Sequence, residues 1–170
     1  MLADNVHRET HFEKYISEKI SGLEAGGMWR VSLSDDGFDP NTALYMPDFI
    51  EYVSKTAPHK VEKMQKAFGS NWQKELERNL VKSLENAGTV MTLRNGFVMA
   101  GYQTIDCSGH YPDDPRLDKA KMLYENNILR VMHQVHYQTA GNKSLDLVFF
   151  INGIPVATSE VKTEIGRAHV

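Results

Sequence analysis

Apolar residues recur four apart near the start of the chain, where Phe12, Ile16 and Ile20 form one stripe flanked by Glu13, Lys14, Glu18 and Lys19. That spacing predicts a helix from about Arg8 to Gly22, stopped by Gly22 and the Gly26-Gly27 pair. From Met28 to Pro47 the pattern is irregular, and Asp35-Asp36-Gly37 and Asp39-Pro40-Asn41 read as turns. A second helix follows Pro47, turns Phe49, Ile50 and Val53 inward and ends before Pro58; a third runs from Pro58 to Phe68. The clearest helix spans Asn71 to Ala87, with Trp72, Leu76, Leu80 and Leu84 at four-residue intervals, Asn71 as cap and Gly88 as stop.

After Gly88 the period changes. Thr89 to Arg94, then Asn95-Gly96, then Phe97 to Met99 reads as a hairpin, because Asn-Gly supplies the positive φ of a tight turn. A loop with Pro112 and Pro115 leads to a helix from about Arg116 to Asn127. Arg130 to Gln138 alternates, placing Val131, His133, Val135 and Tyr137 on one face and Met132, Gln134 and His136 on the other. Leu145 to Ile151 is almost solidly apolar, as in a central strand covered on both sides, and Asn152-Gly153 turns the chain into Ile154 to Lys162. The pattern predicts an α/β fold, helices first and a mixed sheet last.

Composition narrows the class. The 170 residues suit one domain, and 24% charged with 41% hydrophobic residues excludes a wholly disordered or fibrous chain. A formal net charge of -3 excludes a blanket basic surface, so any nucleic-acid contact must be made by local patches. One cysteine, Cys107, excludes an internal disulfide framework and a multi-cysteine zinc cluster. Without a membrane-length apolar run or a signal-peptide pattern after Met1, the expectation is a cytoplasmic protein with no membrane partner.

One constellation carries chemistry. Asp146 interrupts an apolar strand, and Glu160 and Lys162 stand two apart on the next, where they share a face. Two carboxylates from neighbouring strands can hold a hard cation such as Mg2+, and the adjacent ammonium can offset charge on an attacked phosphodiester. The spacing alone equally fits a solvent-facing Asp146 beside an exposed Glu160–Lys162 pair. Register separates the two readings. A strict two-residue Asn152-Gly153 loop without irregularity would set Asp146 opposite Ser159 and point it away from Glu160. A shared site needs an odd-length loop or a bulge. The expected solution is a three-residue loop, Ile151-Asn152-Gly153, with Asp146 across from Thr158. Glu13 and Glu125, on helices, could add a further acid, and Arg94, Arg130 and Lys143 are candidates for phosphate contacts.

The stretch from Leu145 to Thr163, which includes Phe149-Phe150-Ile151-Asn152-Gly153-Ile154-Pro155 and Ser159-Glu160-Val161-Lys162, resembles the nuclease region of type I restriction enzyme R subunits. Arg8 to Glu13, Thr92 to Gly96, Asn127 to Tyr137 and, more loosely, Leu44 to Asp48 resemble that family in the same order. The resemblance implies the PD-(D/E)xK, restriction-endonuclease-like fold, with Asp146, Glu160 and Lys162 on the catalytic positions and Asp146 and Glu160 on the metal. It implies Mg2+-dependent cleavage of double-stranded DNA, methylation and specificity subunits as partners, and ATP-driven translocation in motor domains.

The fold is expected to be incomplete at the C-terminus. No Gly-x-x-x-x-Gly-Lys-Ser/Thr phosphate loop occurs, so these residues should not hydrolyse ATP, and the family's Gln-x-x-x-Tyr helix is missing. Glu164 to Val170 is what GAG ATC GGA AGA GCA CAC GTC encodes, which resembles a sequencing adapter. The expected division is therefore a partial endonuclease domain at 1–163 and a non-native tail at 164–170, with little activity from the fragment alone. Two alternatives stay open: a non-catalytic DNA-binding or assembly module of the same fold, and another PD-(D/E)xK nuclease.

Overall fold

The computed structural model describes residues 2–22, 28–114, 116–138 and 143–161, the side chains of 2–10 excepted. Lys162 and the tail at 164–170 lie outside the described residues. The elements in chain order are α1 (Leu2–Ser21), β1 (Trp29–Ser32), α2 (Met46–Thr56), α3 (Pro58–Phe68), α4 (Trp72–Ala87), α5 (Thr89–Asn95), β2 (Phe97–Met99), β3 (Gln103–Ile105), α6 (Asp118–Glu125), β4 (Leu129–His136), β5 (Ser144–Ile151) and β6 (Ile154–Ser159).

The mixed α/β class holds. A four-stranded sheet runs β1-β4-β5-β6, with β1 parallel to β4 and the other pairs antiparallel. The solid apolar run of β5 is interior to this sheet, as its composition predicts. The irregular stretch after Met28 contains a strand that the sequence pattern does not announce: β1 is only four residues long and lies beside β4.

Prolines set the helix boundaries. Pro47 and Pro58 open α2 and α3, where a missing N–H costs nothing. Gly88 (φ +81) closes α4 and leads directly into α5. Here the hairpin expected around Asn95-Gly96 is corrected. Thr89 to Asn95 is a helix, and Gly96 (φ +65) is its C-terminal cap, donating its N–H to the Thr92 carbonyl at 2.9 Å. The same positive φ serves a hairpin turn or a helix cap, and a Cβ on Gly96 would sit 2.1 Å from the Ile105 carbonyl oxygen. The hairpin is instead β2–β3, immediately downstream.

The main core joins α2, α3 and α4 to β2 and β3, with Phe49, Tyr52, Met64, Leu76, Leu80 and Ile105 fully buried. Each face of the large sheet carries its own smaller cluster. Val131, Leu147 and Val161 pack with Ile16 and Ile20 of α1, while Met132, Val135, Val148 and Phe150 pack with Phe38 and Tyr45. Helix α1 is thereby seated over the strands that carry Asp146.

Charges tie α2 to the sheet. Arg30 of β1 makes two 2.8 Å hydrogen bonds to Glu51, and Lys55 adds a third at 2.8 Å. Arg30 first, then Lys55, holds the Glu51 carboxyl at about 2, below its usual 4.5. A depressed carboxyl stabilises the fold above its unfolded pKa, and that contribution is lost as pH falls from about 4.5 toward 2. About a third of the side chain is exposed, so solvent screening limits the effect to about 1 kcal/mol or less. Glu51→Gln is expected to flatten the loss of stability in that window, measurable as a smaller difference between urea midpoints at pH 5 and pH 3 than in the parent chain.

Candidate active site

The β5–β6 hairpin closes with a two-residue loop, not the expected three. Ile151 pairs with Ile154, and Asn152 (φ +50) and Gly153 (φ +75) both take the left-handed conformation of the tightest hairpin turn. The odd residue that a shared site requires lies farther along. Phe150 pairs with Pro155 and Phe149 with Ala157, so Val156 is the extra residue of a bulge. Pro155 has no N–H to give the ladder, and β6 is the edge strand among the described residues, where prolines and bulges are tolerated.

The pairing of Asp146 with Thr158 is corrected accordingly: Thr158 opposes Val148, and Ser159 opposes Leu147. The one-residue shift is supplied by the bulge and not by the loop, and the pairing ends at Leu147 and Ser159, one residue short of Asp146 and Glu160.

Asp146 is half-buried and anchored at both oxygens. The backbone N–H of Val161 donates to Oδ2 at 2.6 Å, and Gln134 Nε2 donates to Oδ1 at 3.3 Å. The buried Val161 side chain packs beside Leu147, pinning the chain next to the exposed Glu160. Sequence reasoning thus brings Asp146 and Glu160 onto adjacent segments, while Lys162 falls outside the described residues.

Of the two further acids, one approaches and one does not. Glu13 of α1 is buried, and its Oε1 accepts from the same Gln134 Nε2 at 3.2 Å. Its Oε2 lies 3.5 Å from His133 Nδ1, and His133 Nε2 is 2.6 Å from Ser17 Oγ. Glu125 sits on α6, 3.8 Å from Lys121, lining a cavity of about 780 Å3 with Leu93, Arg94, Tyr124 and Ile151. That cavity is at the Leu129–Ile151 end of the strands, away from Asp146.

The predicted alternation of β4 fails at Gln134. Val131 packs on the α1 side and His133 reaches Glu13, but Val135 joins Met132 in the opposite cluster. Gln134 has φ +49, a left-handed residue in mid-strand that costs about 1–2 kcal/mol and re-aims the side chains beyond it. Nothing in the residue type announces this. His136 is engaged elsewhere, its N–H and ring Nδ1 both 2.9 Å from Asp35 Oδ2. Arg130 is withdrawn from phosphate binding, since its guanidinium is spent on buried Asp48. Arg94 and Lys143 are exposed.

The model of the type I restriction enzyme R protein N terminus matches residues 39–169. The chain belongs to this family. Comparison with curated proteins and with solved structures returned no match. In this R-protein region, the matched span covers β4, β5 and β6 with Gln134, Asp146 and Glu160, whereas Glu13 precedes it. Among the described residues, no helix is long and apolar enough to cross a membrane, and no three His, Cys, Asp or Glu side chains gather as a metal site.

Proposed function

We propose that this region is a metal-dependent DNA endonuclease of the PD-(D/E)xK type, serving an R subunit that acts with methylation and specificity subunits on double-stranded DNA. The observation that carries the reading is the bulge at Val156, because it restores the parity that lets Asp146 and Glu160 serve one site. Family membership and the mixed sheet support it.

The donor chemistry fits magnesium. Mg2+ takes oxygen ligands and keeps several waters, so one or two carboxylates suffice and a three-residue protein cluster is not required. The oxygens of Asp146 and Glu13 also converge on one amide nitrogen, at 3.3 and 3.2 Å, so the space between the acids already accommodates a positively polarised group. Asp146 and Glu160 would hold the ion. When bound, it would polarise the scissile phosphate and make water a better nucleophile. Asp146 is kept in place by the Val161 N–H, and the buried Glu13 adds negative potential beside it. Lys162, two residues beyond Glu160, would offset charge developing on the phosphate. Energy for translocation would come from ATP bound outside these residues, which contain no phosphate-binding loop.

The test is Asp146→Asn in an R subunit carrying this region, assembled with its partner subunits. Cleavage of plasmid DNA in Mg2+ is expected to fall more than about a hundredfold, since even outer-shell partners of metal ligands cost 10–100-fold. ATP hydrolysis should be unchanged. Cleavage at the parent rate by Asp146→Asn would refute the site.

A further inference from the structure

Three observations meet at Gln134. Its backbone takes φ +49 in the middle of β4, a conformation readily adopted by glycine and asparagine and seldom by glutamine. Its amide has one permitted orientation: Ser144 Oγ donates to Oε1 at 2.9 Å, leaving the two hydrogens of Nε2 for acceptors. Those acceptors are Glu13 Oε1 at 3.2 Å and Asp146 Oδ1 at 3.3 Å, and a reversed amide would press its oxygen against two carboxylates. In a regular strand, residue 134 would project opposite to His133, yet both Gln134 and His133 reach Glu13. The strained backbone is what delivers the amide to the acids.

We propose that Gln134 is a positioning residue of the nuclease site, whose amide holds Asp146 of β5 against Glu13 of α1 so that both acids are assembled before cation or DNA arrives. Two neighbouring carboxylates repel, and an amide offsets that repulsion without contributing a full charge. A lysine in its place would neutralise the potential that a divalent cation needs. The catalytic consequence rests on the nuclease reading above; the bridge itself does not.

The deciding variant is Gln134→Gly, which accepts φ +49 without strain and removes only the amide. The melting temperature of the chain should stay level or rise, while Mn2+ affinity, followed by electron paramagnetic resonance, falls about tenfold. Gln134→Asn tolerates the same backbone and keeps a shorter amide, so its affinity should lie between the two. The Nε2H2 resonances of Gln134, identified by their absence from the glycine variant, should shift with Asp146→Asn and with Glu13→Gln. Mn2+ binding that is lost in Asp146→Asn but unchanged in Gln134→Gly would overturn the positioning role and leave the nuclease reading standing. If the amide resonances respond to both acids while the parent chain binds no Mn2+, the nuclease reading falls and takes the catalytic role with it. Resonances indifferent to both acids would refute the bridge.

Discussion

Gly153→Ala is expected to destabilise the fold by about 3–5 kcal/mol, combining a left-handed backbone penalty with steric overlap against main chain that cannot step aside. Gly153 has φ +75, and a Cβ there would lie 2.1 Å from the Tyr45 carbonyl oxygen and 3.3 Å from the Phe49 nitrogen. The clash falls on backbone at the start of α2, not on a side chain that could rotate. Relief would also stretch the 2.9 Å hydrogen bond from Tyr45 N–H to the Gly153 carbonyl. The turn is fixed from its other residue too. Buried Asn152 accepts from the Ile128 N–H at 2.7 Å and donates to the Cys107 carbonyl and Asn127 Oδ1 at 2.9 and 3.0 Å. Because the turn sets the register of the hairpin carrying Asp146 and Glu160, surviving folded protein should also lose Asp146 alignment. The measurement is the urea midpoint at unchanged m-value, with Gly101→Ala as control. Gly101 has φ +83 but nothing within 4 Å of its added Cβ, so it should cost only the backbone penalty, about 1–2 kcal/mol. Equal losses at both glycines would show that the approach to Tyr45 is not felt.

How much of this was legible in the sequence depended on whether a residue type has one structural use or several. Proline has few. Pro58 after an amphipathic run marked both the end of α2 and the start of α3, and the bounds Pro58 to Phe68 follow from the pattern alone. Asn-Gly has two uses, and they split: Asn152-Gly153 is a hairpin turn, whereas Asn95-Gly96 ends a helix. The apolar periodicity of Thr89 to Asn95 was too short to separate them. In the candidate site, the requirement that Asp146 and Glu160 share a face was readable because strand parity is strict. Its solution was not, because a bulge at Val156 depends on Pro155 lying at a sheet edge, which is a property of the assembled sheet. The backbone conformation of Gln134 was the least accessible. Its positive φ accompanies hydrogen bonds to partners distant in sequence, Glu13 and Asp146, and the alternation it breaks looks intact in the residue string.

Arg130→Leu is expected to cost about 3–5 kcal/mol, the usual penalty for stranding one member of a buried ion pair. Arg130 forks onto Asp48, Nε to Oδ2 at 2.6 Å and Nη2 to Oδ1 at 2.8 Å, and the two side chains are only 11% and 2% exposed. Its remaining nitrogen donates to Ser32 Oγ at 2.6 Å, and the guanidinium lies 4.5 Å from the Tyr45 ring centroid. Asp48 would keep one contact, Arg30 at 3.3 Å, but Arg30 is more exposed and already bound to Glu51. The pair matters to the candidate site through β4. Asp48 on α2 fixes the start of the strand whose far end bends at Gln134. A hydrophobic replacement of both partners removes the uncompensated charge along with the attraction, so Arg130→Leu combined with Asp48→Leu should recover much of the loss. A double-mutant cycle in urea measures this directly. Additive single losses, with no recovery in the double variant, would mean that Arg130 contributes mainly by packing on Tyr45 and bonding Ser32. In that event Asp48 would be held chiefly by Arg30, and the parallel pairing of β1 with β4 would become the contact that docks α2.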